Sequence, residues 1–360
     1  MTATGVLSDS DIRAMIAAGQ ITSAAPVPDA QVQPASLDLR LGSVAYRVRA
    51  SFLSGKGRTV ADRLAEFEMH RVDLSSGAVL EKGAVYVVPL MESLALPNGL
   101  TAVANAKSST GRLDLLTRTI TDGGTEFDRI PEGYAGPLYA EICPRSFSVL
   151  VRPGMRLNQI RFRNGQSVLT DAELQALHKE SALVSGVPVI SEGLGFSVDL
   201  RPAKGDLVGY RAKPHTGVID LDRLGHYDPA EFWEEVRTKE GRIILDPGAF
   251  YILVSREAVT IPPDYAAEMA PYLAMVGEFR VHYAGFFDPG FGFDGAGGAG
   301  SRGVLEVRCH EAPFVLEDGQ VVGRLVYERM AERPARLYGT GIKSNYQGQG
   351  LKLSKHFRAV

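Results

Sequence analysis

The two halves of this sequence resemble each other, and this internal repeat constrains the fold more than any other feature does. Gly83-Ala84-Val85-Tyr86 recurs as Gly248-Ala249-Phe250-Tyr251, and Glu141 recurs as Glu306, both 165 positions later. Solenoid repeats are about 20–50 residues long, so a period of this length indicates two tandem domains that share one fold. Other matches at nearly the same shift are Leu96-Pro97 with Ile261-Pro262, and Ser36-Leu37-Asp38-Leu39-Arg40 with Ser197-Val198-Asp199-Leu200-Arg201.

Length and composition agree with two folded domains. At about 150 residues per domain, a chain of 360 residues makes about two domains. The hydrophobic fraction of 45% and the charged fraction of 22% are close to the globular average, which excludes intrinsic disorder. We therefore expect one domain over residues 1–165, a connecting segment over 166–192 and a second domain over 193–360.

Charge and cysteine content exclude several classes of protein. The formal net charge of −3 lacks the basic excess that binds nucleic acid polymers or anionic lipid. Cys143 and Cys309 cannot form a disulfide framework, and the N-terminus lacks the basic-then-apolar pattern of a signal peptide. No apolar run approaches the length of a transmembrane helix. We expect a cytoplasmic protein that acts on neither membranes nor nucleic acid polymers.

The local pattern of each half is that of a β protein. Gly, Pro and Asp turns separate short alternating runs, which is typical of a β-sandwich or barrel. Helical patterns are few and peripheral: residues 12–19 after a capping box at Ser8 to Asp11, residues 171–179, and residues 229–237. The strand-like runs are Y-V-V-P-L-M (86–91), A-V-A-N-A (102–106), P-L-Y-A-E-I (137–142), F-S-V-L-V (147–151) and Q-I-R-F-R (159–163).

A polar turn follows one of these strands. Residues 107–112, Lys-Ser-Ser-Thr-Gly-Arg, place a cation, three hydroxyls, a glycine and an arginine between apolar segments. Hydroxyls and backbone N–H groups donate to phosphate oxygens, Gly111 allows close approach, and Arg112 is a forked, permanently charged donor. The turn therefore predicts phosphate binding, although a polar turn without a ligand has the same composition.

Two glutamates occupy matching places in strands that are otherwise apolar. Glu141 lies in P-L-Y-A-E-I and Glu306 lies in G-V-L-E-V-R. Burial against a pocket would raise the pKa of such a carboxyl and make it a usable general acid or base. The alternative is a glutamate that points to solvent from a half-exposed strand.

Two further segments carry ligand-binding chemistry in the second half. Residues 284–291 end in Asp288-Pro289-Gly290-Phe291, which places a carboxylate at a hairpin corner. Residues 338–350 are rich in glycine and hydrogen-bond donors. This composition fits a mobile flap that closes on a ligand, and it equally fits a frayed tail.

The joint occurrence and order of these features resemble the dCTP deaminase branch of the dCTP deaminase/dUTPase superfamily. The resemblance covers nearly the whole chain and implies a distorted jelly-roll β-barrel in each half. Its motifs are V-L-S-D-S-D-I-R (6–13), Q-P-A-S-L-D-L-R-L-G (33–42), K-S-S-T-G-R (107–112), R-P-G-M-R-L-N-Q (152–159), A-x-x-x-D-P-G-F (284–291), the strand glutamates and Y-Q-G-Q-G (346–350).

The resemblance also implies roles for individual residues. Glu306 matches the glutamate that shuttles protons, and Glu141 is its counterpart in the first half. Ser108 and Arg112 match the residues that hold the reacting water and this glutamate. Ala284 matches the residue whose backbone carbonyl orients the water. The implied substrate-binding residues are Lys107, Ser109, Thr110 and Gly111 in the loop, Asp288 for the sugar, Val304 and Leu305 for the base, and Tyr338, Lys343, Tyr346 and Gln349 in the tail.

The two halves depart from the family pattern in complementary ways. The second half reads A-P-Y-L-A-M (270–275) where the first has its hydroxyl loop, and the first half reads Ile130-Pro131-Glu132-Gly133 where the second has Asp-Pro-Gly. The family lysine of the tail aligns with Asn345, and Lys343 is its nearest substitute. We therefore predict one composite site that takes the loop from the first half and the corner, Glu306 and tail from the second. Homologues in the family are oligomers, which implies a homo-oligomer here.

The predicted chemistry needs no catalytic metal. One glutamate can deprotonate the attacking water and then protonate N3 and the leaving ammonia of cytosine. Zinc deaminases carry H-x-E and P-C-x-x-C; His178-Lys179-Glu180 matches the first motif, but the chain has no C-x-x-C. Mg²⁺ is expected only as the counter-ion of the triphosphate.

The sequence thus predicts hydrolysis of dCTP to dUTP and ammonia, with dUTP and dTTP as further candidate ligands. Asp288 also suits a dUTP pyrophosphatase or a bifunctional deaminase and dUTPase. The loss of motifs in each half also suits a nucleotide-binding protein that does not catalyse.

Overall fold

The protein is described by a computed structural model over residues 3–271, 279–282, 285–296, 299–339 and 348–359, with side chains at all of these except 271 and 279–282. The chain forms two compact units. The first consists of Met1–Ser167, Gly217–Leu224 and Met330–Ala335, and the second consists of Val168–Thr216, Gly225–Arg329 and Arg336–Val360.

These units differ from the predicted boundaries. Residues 168–192, expected to connect the domains, belong to the second unit. Gly217–Leu224 and Met330–Ala335 lie in the second half of the sequence but belong to the first unit.

Strands make up most of the regular structure, as the mainly β fold class predicted. The strands are β1 Gly5–Val6, β2 Ile21–Ser23, β3 Val32–Gln33, β4 Ser36–Arg40, β5 Val44–Val48, β6 Glu68–Asp73, β7 Ala78–Leu80, β8 Val85–Ala95, β9 Leu100–Ala106, β10 Leu115–Thr121, β11 Arg129–Ile130, β12 Ala135–Pro144, β13 Val149–Val151, β14 Arg156–Asn164, β15 Leu194–Ser197, β16 Leu207–Ala212, β17 Ile219–Asp220, β18 Trp233–Arg237, β19 Arg242–Leu245, β20 Phe250–Val259, β21 Tyr265–Pro271, β22 Phe279–His282, β23 Phe286–Phe287, β24 Ser301–Cys309, β25 Phe314–Glu317 and β26 Val321–Arg329.

The strand orders of the two units repeat each other. In the first unit one sheet runs β10-β12-β8-β5-β6 and the other runs β11-β9-β14-β4-β3. In the second unit the corresponding orders are β22-β24-β20-β16-β18 and β23-β21-β26-β15. A small pairing of β7 with β13 is likewise matched by β19 with β25. The internal sequence repeat is therefore a repeat of fold.

Helices are short and peripheral. They are α1 Asp9–Ala17, α2 Val60–Phe67, α3 Ser108–Gly111, α4 Asp171–Glu180 and α5 Pro229–Phe232. α1, α2 and α4 begin with capping boxes at Ser8, Thr59 and Thr170. No helix in the described ranges is long and apolar enough to span a bilayer.

The helix predicted over 229–237 is largely wrong. Only Pro229–Phe232 is helical, and Trp233–Arg237 forms β18. Ala212 and Tyr210 of β16 pair with Trp233 and Glu235, and Trp233 is buried in this sheet. Tertiary pairing therefore outweighs the helical pattern of the sequence.

The core of the second unit lies on one face of its sheets. β24 contributes Leu305, Val307 and Cys309 to this core, which is continuous with Leu253 of β20 and Leu325 of β26. Because successive side chains of a strand point to opposite faces, Val304, Glu306 and Arg308 lie on the other face of β24. The core packing thus determines which side of the sheet carries the predicted glutamate.

Candidate active site

The hydroxyl loop, which is the polar turn of residues 107–112, forms a single helical turn directly after β9. Lys107 precedes the turn, and Arg112 ends it by donating its backbone N–H to Ser108 O at 3.0 Å. Lys107 N and Thr110 Oγ1 both donate to the carbonyl of Leu157, at 2.8 and 3.1 Å. Ser109, Thr110, Gly111 and Arg112 are buried, whereas Lys107 and Ser108 are half-buried. The loop is therefore held rigidly by the neighbouring strand, with its first two residues the most accessible.

The ammonium of Lys107 forms an ion pair with Asp38, which is 2% exposed. The other carboxylate oxygen of Asp38 lies 3.3 Å from Nη1 of Arg156. The loop motif predicts that Lys107 binds the substrate, and it gives no indication of this partner. Asp38 was visible in the sequence only as part of the repeated Ser-x-Asp-Leu-Arg motif.

Glu306 lies within β24 and is 4% exposed. Of the residues predicted to contact the base, Val304 shares the face of Glu306, whereas the side chain of Leu305 is in the core. Leu305 therefore offers a ligand only its backbone.

The Asp-Pro-Gly corner and the start of the tail pack together in the second unit. Tyr338 N donates to Pro289 O at 2.8 Å, and the rings of Tyr338 and Phe291 are 5.6 Å apart. Gly290 has φ +96, and a Cβ there would lie 2.9 Å from the Cβ of Leu337. Asp288, at the start of this corner, is 8% exposed. The corner thus needs glycine both for its dihedral angle and for its close contact.

Gln349 contacts the strand that carries Glu306. Arg302 N donates to Gln349 O at 3.2 Å, and Gln349 Nε2 donates to Arg302 O at 3.1 Å. Arg302 is held in turn by Asp199, with Nη1 to Oδ2 at 2.6 Å. Asp199 is the repeat equivalent of Asp38. In each unit this buried aspartate binds a cation, namely Lys107 of the predicted loop in the first unit and Arg302, on the strand of Glu306, in the second.

Phe357, beyond the predicted flap, packs within the second unit. Tyr227 forms a parallel bridge with Phe357, and the ring of Phe357 lies 5.9 Å from that of Trp233. Ala284, Lys343, Asn345 and Tyr346 lie outside the described residues.

Glu141, the first-half counterpart of Glu306, is in an ion pair. Arg118 Nε and Nη2 donate to its Oε1 at 3.1 and 2.5 Å. Glu141 is 1% exposed. The two glutamates share a position in the repeat, but the register partner of Glu141 is Arg118, whereas that of Glu306 is His282.

Metal ligands are not clustered in the described ranges, where no group of three or more His, Cys, Asp or Glu side chains converges. Cys143 and Cys309 are buried and do not form a disulfide. Burial raises the pKa of the Cys143 thiol, so this residue is a small apolar side chain rather than a nucleophile.

Two domain families match the two halves of the chain. The family described as 2′-deoxycytidine 5′-triphosphate deaminase, N-terminal domain, matches residues 3–166, and the corresponding C-terminal domain matches residues 170–357. The chain belongs to the dCTP deaminase family. The resemblance inferred from the sequence motifs is confirmed, and with it the membership in a family of deaminase enzymes.

Solved and curated relatives agree with this membership. The crystal structure of 2′-deoxycytidine 5′-triphosphate deaminase from Agrobacterium tumefaciens is 57% identical, with a TM-score of 0.88 over 92% of this chain and 99% of that chain. The "dCTP deaminase, dUMP-forming" of Beutenbergia cavernae is 33% identical over 44% of this chain and 78% of its own length. The "dCTP deaminase" of Halorubrum lacusprofundi is 30% identical over 44% of this chain and 76% of its own length. Each of these two curated relatives matches less than half of this chain but most of its own length. This is expected if the chain is duplicated and each relative has a single repeat.

Proposed function

We propose that the chain hydrolyses dCTP to dUTP and ammonia, with Glu306 as the general acid and base. The observation that carries this proposal is the place of Glu306: a buried carboxylate on a sheet face, in a strand whose first residues bind the tail. Family membership supplies the substrate class. Arg112 and Ser108, in the rigid turn of the first unit, supply the remaining polar groups.

In the proposed reaction, Glu306 takes a proton from water, and the resulting hydroxide attacks C4 of cytosine. Glu306 passes this proton to N3. It then carries the proton of the new C4 hydroxyl to the exocyclic amine, so that the C4–N bond breaks, ammonia leaves and the C4 carbonyl forms. Arg112 stabilises the charged carboxylate and, with Ser108, orients the water. The backbone carbonyl of Ala284 is a further proposed acceptor for that water. No metal takes part in these steps, and Mg²⁺ accompanies the substrate as the counter-ion of its triphosphate.

The remaining groups bind the nucleotide. We assign the phosphates to the loop, which offers the N–H groups and hydroxyls of Ser109, Thr110 and Gly111, and to the tail. Asp288 binds the sugar hydroxyl, and the backbone of β24 at Val304 and Leu305 reads the base. Since each half of the sequence lacks the motif that the other retains, we propose that the loop and Glu306 act on one nucleotide, within one chain or between chains of a homo-oligomer.

Ammonia release from dCTP tests this function directly. Arg112→Ala and Glu306→Gln should each lower kcat by about 10²–10⁴-fold, because each removes a group needed in the transition state. Circular dichroism and the thermal midpoint establish that the variants fold. Full activity of Glu306→Gln would refute the assignment of the general base.

A bifunctional enzyme that releases dUMP and pyrophosphate is the second candidate, since several curated relatives are named "dCTP deaminase, dUMP-forming". Chromatography of the products separates the two: intact dUTP supports the first candidate, and pyrophosphate supports the second. Binding of dCTP without any turnover would instead indicate a nucleotide-binding protein without catalytic activity.

A further inference from the structure

Equivalent rows of residues cross the glutamate-bearing sheet in both units. Strand register places Glu141 opposite Arg118 and Val87, with Tyr46 beyond Val87. In the second unit the register places Glu306 opposite His282 and Ile252, with Tyr210 beyond Ile252. The rows match strand for strand, so any difference between them reflects divergence after duplication.

In the first row a cation binds one oxygen of the glutamate, Oε1 of Glu141, while Oε2 is buried without a hydrogen-bond partner. Besides its two contacts with Glu141, Arg118 donates from Nη2 to Ser51 Oγ at 3.0 Å. The ring of Phe127 covers the guanidinium, with its centroid 3.6 Å from the guanidinium carbon. Phe127 belongs to residues 119–128, which lie directly before Ile130-Pro131-Glu132-Gly133, the segment that replaces Asp-Pro-Gly in the first half. The arginine is therefore covered by a residue close in sequence to the altered corner.

The rest of this face is filled by apolar side chains. Val60 and Leu64 of α2 pack with Val48, Val87 and Ile120 in one buried cluster. Val87 is the register partner of Glu141, and Ile120 lies two residues from Arg118, so this cluster shares the face of the ion pair. Phe52, Phe67, Phe127 and Tyr139 close its edges.

The equivalent row of the second unit ends beside a cavity. At the Tyr210 end of its row lies a cavity of about 390 Å³, lined in part by Tyr210, Trp233 and Glu235. In the first row the register partner of Tyr46 is Arg71, whose guanidinium carbon lies 5.2 Å from the ring centroid of Tyr46.

We propose that the glutamate face of the first unit is a closed copy of the site, with Arg118 as the residue that closes it. A carboxylate that shuttles protons must meet water and the base, and Glu141 meets Arg118 under an aromatic and aliphatic cover instead. Glu141 is therefore a structural ion-pair partner, and each chain has one nucleotide site, at Glu306. The identity of the ligand as dCTP rests on the proposed function.

Binding stoichiometry tests the closed copy. Equilibrium dialysis of labelled dCTP against the Glu306→Gln chain, which turns over too slowly to consume it, should give one nucleotide per chain at saturation. An occupancy of zero would also support a closed Glu141 face, since only the altered site would then have been lost. Two nucleotides per chain would overturn the proposal. Failure of the proposed function is a different result, namely no ammonia from dCTP with the unaltered chain.

A thermal double-mutant cycle tests the ion pair independently of any ligand. Glu141→Gln and Arg118→Met should each lower the thermal midpoint by at least about 2 °C, because each leaves a largely buried partner uncompensated. The double variant should lower the thermal midpoint by less than the sum of the two single decreases. Arg118→Lys keeps the charge, so it should lower the thermal midpoint by less than Arg118→Met does. It should still fold even if Arg118→Met does not.

The matched glutamate variants complete the test. Glu306→Gln should remove ammonia release with little change in the midpoint, whereas Glu141→Gln should lower the midpoint and retain at least about a third of kcat. A Glu141→Gln chain with an unchanged midpoint and the same loss of kcat as Glu306→Gln would show that Glu141 is catalytic and overturn the closed copy.

Discussion

At the scale of single residues, Lys107 shows how a motif can be found while its structural partner is missed. The loop sequence alone suggested a free cation for phosphate. In the structure its ammonium is in contact with Asp38, 69 positions away in sequence, and Asp38 also faces Arg156. A buried carboxylate with two cations fixes the loop before any nucleotide arrives. We therefore expect Lys107 to position the loop in addition to attracting phosphate.

Removal of this pair should affect catalysis as well as folding. Lys107→Met and Asp38→Asn should each lower kcat/KM for dCTP by at least about tenfold, and the double variant should be little worse than either, because the two residues act as a unit. Steady-state kinetics measures this. Asp29→Asn is the control: Asp29 forms an exposed ion pair with Arg13, whose loss should have no measurable effect. Additive losses in the double variant would show that the two residues act separately.

The sequence identified the candidate residues because each sits in a local motif with its own chemistry. It could not identify Arg118 as the partner of Glu141, since that contact depends on the register of β10 against β12. The same holds for Asp199 and Arg302. Cross-strand partners follow from pairing between distant segments, and no local pattern encodes the pairing.

At the scale of elements, the alternating runs predicted strands correctly in the first half, and the repeat extended them to the second. Two elements were misjudged. Residues 233–237 form a strand although their pattern is helical, because β16 offers them a partner. α2 was missed, although Thr59 and Asp62 form the capping box that marks its start. A start signal for α2 is therefore present in the sequence, and only the pairing of residues 233–237 with β16 lies beyond local reasoning.

The Asp-Pro-Gly corner offers a test of how closely the tail must pack. Gly290→Ala places a methyl group against Leu337 and the backbone of Tyr338, and it also adopts a dihedral angle that costs alanine about 1 kcal/mol. We expect a raised KM for dCTP and a lowered thermal midpoint. The control is Gly248→Ala, at φ +72 with no atom within 4 Å; it isolates the dihedral cost. Equal effects of the two substitutions would show that close packing at the corner is unimportant.

At the scale of the whole molecule, the chain passes between its two units five times, because two segments of the second half belong to the first unit. β17 pairs in parallel with Val149 and Leu150 of β13, and Arg152 binds both Asp220 and Asp222. The sequence predicted two consecutive domains instead. A strand of only two residues carries no periodic pattern. The sequence therefore does not indicate that β17 belongs to the first unit.

We expect this exchange to couple the unfolding of the units. Scanning calorimetry of the unaltered chain should show one transition, and Asp220→Asn should broaden or split it, whereas the more exposed Asp222→Asn should have a smaller effect. The hydrogen bond from Arg152 lowers the pKa of Asp220 below 3.8. The contribution of Asp220 is therefore complete above pH 3.8 and is lost as pH falls through the lowered pKa. Two separate transitions at neutral pH in the unaltered chain would contradict the coupling.

The pairing of β17 with β13 also bears on the history of the duplication. A single first repeat, without the second half of the sequence, lacks Ile219 and Asp220. In such a chain, β13 would present an unpaired edge and Arg152 would lose its acidic partners, and such edges promote aggregation. Once the strand exchange had evolved, reversal to the ancestral single-repeat form would have required a second, compensating change.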